Sequence, residues 1–67
     1  MTPSQQKKAD DRINTIYCKR CSGVQIGVMD IGKVFAAGRK AIEENPDITD
    51  EALGDKVAEF VETIRLN

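Results

Sequence analysis

The chain offers one run of chemically reactive side chains, Cys18-Lys19-Arg20-Cys21. Two thiolates at this spacing can reach one Zn²⁺ at about 2.3 Å each. Structural zinc wants four ligands, and the sequence has no histidine and no second cysteine pair. Completing the site falls to a carboxylate such as Asp30, or to Cys18 and Cys21 of a second copy. The same pair suits redox chemistry, since Lys19 and Arg20 favour the thiolate. That chemistry is set at a helix N-terminus following a strand, whereas this pair follows a helical pattern. The third reading, favoured by that context, makes the cysteines small buried apolar side chains at a helix end.

Other chemistry finds no support in the residue types. Without histidine there is no general base for a nucleophilic triad. The carboxylates of the C-terminal half fall mainly on one open helical face, away from any pocket that would tune them. Gly32-Lys33 lacks the upstream glycine and the following Ser/Thr of a phosphate-binding loop. The expectation is a protein that is not an enzyme and needs no cofactor. Zinc on Cys18 and Cys21 is the alternative, and Tyr17-Cys18-x-x-Cys21-x-Gly23 resembles one knuckle of a zinc ribbon.

The elements that position these residues can be read from periodicity. Thr2, Pro3 and Gln5 form the start signal of a first helix over about 3–17. Ala9, Ile13, Ile16 and Tyr17 lie on one of its faces. Over 21–29, Val24, Ile26 and Val28 alternate with Gln25 and Gly27, which predicts a short extended or loop segment. Asp30 is the expected N-cap of a second helix over about 31–44, with Ile31, Val34, Phe35, Gly38 and Ile42 inward. Gly38 on that face calls for close approach of another helix. Pro46 ends it. Thr49 caps a third helix over about 50–65, with Ile48 and Leu53 as a hydrophobic staple and Asp50 and Glu51 in the first turn. Its inward face is Leu53, Val57, Phe60, Val61 and Ile64. The predicted fold class is all-α: one small three-helix domain over 1–67, with a C-terminal antiparallel helical hairpin.

A chain of 67 residues buries only about 60% of its unfolded surface, so a partner subunit is expected to help. Net charge is −1, but residues 1–40 carry eight basic and three acidic side chains, and residues 41–67 carry two and eight. Lys7, Lys8, Arg12, Lys19 and Arg20 are therefore candidate phosphate contacts, with Tyr17 among them. From Val24 onward the order extended segment, helix, helix resembles the layout of a ribbon-helix-helix dimer, which implies DNA binding. Against it, Gln25 would be the single reading side chain, and the isoelectric point is about 5.3. The leading expectation is a small regulatory or inhibitory protein acting through protein contacts and self-association, with Val24, Ile26, Val28 and Met29 as the contact surface. No membrane span and no export signal are visible, which points to the cytoplasm.

Overall fold

A computed structural model describes residues 1–66; Asn67, the last residue of the expected domain, lies outside them. Three helices form, α1 (Pro3–Arg20), α2 (Val28–Glu44) and α3 (Asp50–Ile64). Among the described residues there is no strand, and none of the helices is long and apolar enough to cross a membrane.

The capping signals explain two of the three helix starts. The Thr2 hydroxyl accepts from the Gln5 amide at 3.2 Å, and the Gln5 side-chain oxygen accepts from the Thr2 amide at 3.0 Å. This reciprocal pair satisfies two orphan donors, and Pro3 supplies the first helical position. The Thr49 hydroxyl likewise accepts from the Ala52 amide at 3.1 Å, with Ile48 and Leu53 both buried as the staple requires.

Two boundaries depart from the sequence reading. Helix α1 continues past Tyr17 to Arg20, where the Cys21 amide donates to the Tyr17 carbonyl at 2.8 Å. Lys19 and Arg20 occupy its last turn, where positive charge meets the negative helix end. Helix α2 starts at Val28 with Gly27 as its N-cap, so Asp30 sits in the first turn and is not the cap. A carboxylate there still meets the positive helix end, which removes the need for Asp30 to cap. Val28 and Met29 are consequently helical rather than extended. The connection before them turns at Gly23, whose φ of 83° lies in the left-handed region that glycine adopts without strain. The Leu66 amide donates to the Gln25 carbonyl at 2.8 Å, tying the end of the chain to this connection.

Each helix packs against the other two around one apolar core. Ile13, Val34, Leu53, Val57 and Val61 are fully buried at its centre. Two glycines let the helices meet. A Cβ on Gly38 of α2 would stand 2.7 Å from Cδ1 of Ile13 on α1, so the expected close approach is present. A Cβ on Gly54 of α3 would stand 3.3 Å from Cγ2 of Ile16, a contact the sequence reading did not foresee. Because Ile13 lies over Gly38, the buried line of α2 is Val34, Gly38 and Ala41. Phe35 and Ile42 are left half-buried beside it, and Ile31, expected inward, is exposed.

Candidate interaction surface

An amphipathic helix in a small domain turns charge and polarity toward water. Helix α1 does so with Lys7, Asp11, Asn14 and Cys18, and α3 with Asp55, Glu59 and Glu62. Helix α2 differs. Along its outward side run Val28, Gly32 and Ala36 at i, i+4 and i+8, flanked by Met29, and all four are exposed. Val28 and Met29 are 85% and 86% exposed, so these large apolar side chains lend the core almost nothing. Gly32 adds a cost: glycine inside an exposed helix is about 1 kcal/mol less favourable than alanine. A Cβ there would meet nothing within 4 Å, so no packing among the described residues explains the glycine.

The four-residue surface read from the sequence therefore divides. Val24 and Ile26 are partly buried and pack against the core, while Val28 and Met29 project from the first turn of α2. Ile31, Gly32 and Ala36 complete the exposed apolar surface. Sequence reading missed them because it turned Ile31 inward, and the expected cap at Asp30 left Val28 and Met29 off the helix, so Gly32 and Ala36 had no apolar line to join. The signal was present: Val28, Gly32 and Ala36 keep helical spacing once the helix is counted from Gly27.

The basic cluster is also divided. Nε of Arg12 donates to Asp50 Oδ1 at 2.6 Å, and its Nη2 donates to the Ile48 carbonyl at 2.6 Å. Nη2 of Arg20 donates to Asp55 Oδ1 at 2.7 Å. Both pairs join the basic N-terminal half to the acidic C-terminal half, so part of the charge division is neutralised inside the fold. Arg39 on α2 donates to Asp10 on α1 at 2.7 Å. Lys7, Lys8 and Lys19 remain exposed without an ion pair among the described residues.

No family model, curated protein or solved structure matched the chain.

The cysteines part company as well. Cys18 is exposed on α1, its thiol 3.9 Å from Asn14 Oδ1, whereas Cys21 is buried in the core. Asp30, the carboxylate considered as a further zinc ligand, forms an ion pair with Lys33 at 3.4 Å. Among the described residues no three His, Cys, Asp or Glu side chains gather to hold a metal ion. Burial pushes the Cys21 thiol above its ordinary value of 9.0, with the nearby Arg20 opposing and Glu62 adding. Burial, then the two cysteines, raises the Tyr17 phenol above 10.0.

A neutral-pH alkylating reagent should modify Cys18 in the folded protein and reach Cys21 only on unfolding. Both raised groups favour their protonated forms in the fold. Their contribution is complete below the ordinary values and is lost as pH climbs through the higher folded values. Thermal melts should therefore lose stability as pH rises past 9.0 and then 10.0. A melting temperature that stays level to about pH 11 would contradict this.

Proposed function

We propose that this protein is a non-catalytic regulator or inhibitor that works through protein–protein contacts on the outward side of α2. The observation that carries this reading is the exposure of Val28 and Met29, 85% and 86%, on a helix whose other side already packs the core. Burying such a side chain is favourable by about 1.5–3 kcal/mol. A surface that displays two of them side by side, with Ile31 nearby, is suited to being covered by another protein.

The competing readings gain less. A nucleic acid would have to draw Arg12 and Arg20 away from Asp50 and Asp55, leaving Lys7, Lys8 and Lys19 as unengaged phosphate contacts. Zinc would need Cys21 to leave the core and lose its proton, against the direction in which burial pushes it. The carboxylates of α3 stand on exposed helix positions rather than in an enclosed site. Two cysteines kept as thiols fit the reducing cytoplasm as the working compartment.

The test is the paired substitution Val28→Asp with Met29→Asp. Both positions lie in the first turn of α2, where added carboxylates suit the helix dipole, so helical circular dichroism should be retained. Association with a protein partner, or with another copy, should weaken at least about a hundredfold, since central contact residues cost about 2 kcal/mol or more each. Undiminished association by a folded variant would reject the surface. Binding to DNA or RNA that falls steeply with salt and depends on Lys8 would favour the nucleic-acid reading instead.

A further inference from the structure

We propose that Cys18 and Cys21 form a thiol–disulfide switch. A small anionic disulfide such as glutathione disulfide oxidises the pair, draws Cys21 out of the core and loosens the connection between α1 and α2. The inference is independent of the contact surface on α2. It rests on where α1 ends. The helix runs to Arg20, and the Cys21 amide still donates to the Tyr17 carbonyl at 2.8 Å, so both cysteines hold helical positions. Three positions along an α-helix set their Cα atoms about 5 Å apart. That falls within the range of about 4.4–6.8 Å that a disulfide spans. The pair also straddles the edge of the buried face: Cys18 is exposed and Cys21 packs in the core. Zinc would need further ligands, and none gather among the described residues, whereas a disulfide needs only the pair itself.

The two environments set the order of reaction. Cys18 meets solvent, and beside it Lys19 is an exposed cation that can attract an anionic disulfide. The Cys18 thiolate attacks one sulfur of glutathione disulfide. A mixed disulfide forms, and one glutathione leaves with the proton that Cys18 gave up. Fraying of the last turn of α1 then brings out Cys21, which is tethered three residues away and needs no diffusion. Cys21 gives up its proton and attacks the Cys18 sulfur, and the second glutathione leaves as a thiol. The two cysteines lose two electrons and two protons, and the oxidant gains them. The core drives the return. Cys21 fills its buried place only as a thiol, and stabilising the reduced form makes the disulfide easier to reduce. Movement of Cys21 is passed on through the connection. The Val24 amide donates to the Cys21 carbonyl at 3.1 Å, Val24 and Ile26 pack on the core, and the Leu66 amide holds the Gln25 carbonyl at 2.8 Å.

The test is to treat the reduced full chain with glutathione disulfide, quench with acid at intervals and weigh the intact protein by mass spectrometry. Wild type should pass through a single glutathione adduct to a monomer lighter by two hydrogen atoms, at a rate independent of protein concentration. Excess reduced glutathione should restore the dithiol. Cys21→Ala should stop at the adduct. Cys18→Ser changes an exposed position, and in its folded form Cys21 should stay unmodified. The wild-type time course and Cys18→Ser decide the chemistry even if Cys21→Ala fails to fold. A wild type that halts at the adduct, or runs on to a covalent dimer, overturns the disulfide. A Cys18→Ser variant modified as fast as wild type overturns the order of attack. Amide spectra of the oxidised protein read the switch itself, which should shift Val24, Gln25, Ile26 and Leu66. Shifts confined to residues 17–22, or a disulfide that survives excess reduced glutathione, overturn it.

Discussion

Leu53→Ala should leave the domain largely unfolded near body temperature. Leu53 has no exposed surface and lies at N4 of α3, where it meets the buried Ile48. Truncating a buried leucine costs about 2–5 kcal/mol, through lost transfer energy and the cavity left behind. At about 0.05–0.15 kcal/mol per residue, a chain of this length has about 3–10 kcal/mol in total. Three helices sharing one small core have little room to collapse onto the gap, because each already packs against both others. The check is a urea or thermal melt followed by circular dichroism. A melting temperature within about 4 °C of wild type would mean that Leu53 costs less than 1 kcal/mol and is not central.

Gly38→Val should be the next most damaging change, although it adds atoms. Even a bare Cβ at Gly38 would sit 2.7 Å from Cδ1, 2.8 Å from Cγ1 and 3.2 Å from Cγ2 of Ile13. The whole Ile13 side chain is in the way, not one flexible tip, and Ile13 is fully buried. Overpacking of this kind costs about 1–3 kcal/mol, which for a domain of this size lowers the melting temperature by roughly 4–24 °C. Gly32→Ala is the matched control. It lies on the same helix with nothing within 4 Å, and at low protein concentration it should stabilise the fold by up to about 1 kcal/mol. Equal effects at the two positions would contradict the packing described for α2.

How much of this was legible in the sequence depends on which force set each feature. Thr2 with Gln5, and Thr49 with Ile48 and Leu53, announced α1 and α3 because capping is a local interaction among a few neighbouring residues. The core face of α3 was legible because Leu53, Val57 and Val61 repeat at helical spacing over several turns. The start of α2 was misread because Asp30 is a good N-cap on local grounds, yet Gly27 takes that place and Asp30 serves in the first turn. One such shift moved Val28 and Met29 from an extended segment onto a helix. It also hid the apolar line that they form with Gly32 and Ala36. The partition of the basic residues was not legible either. Arg12 and Arg20 meet Asp50 and Asp55 across 38 and 35 positions, through packing that no local pattern records. The difference between Cys18 and Cys21 has the same origin. Their spacing in sequence is that of a metal pair, while the end of α1 at Arg20 places one thiol outside and the other in the core.

The central claim is that the outward side of α2 is where this protein meets another. Amide resonances followed across a protein concentration series, and again with added duplex DNA at low salt, test it most directly. The account predicts concentration-dependent shifts centred on Val28, Met29, Gly32 and Ala36, with little response to DNA. Silence there, together with salt-sensitive shifts at Lys7, Lys8 and Lys19 on adding DNA, would contradict it.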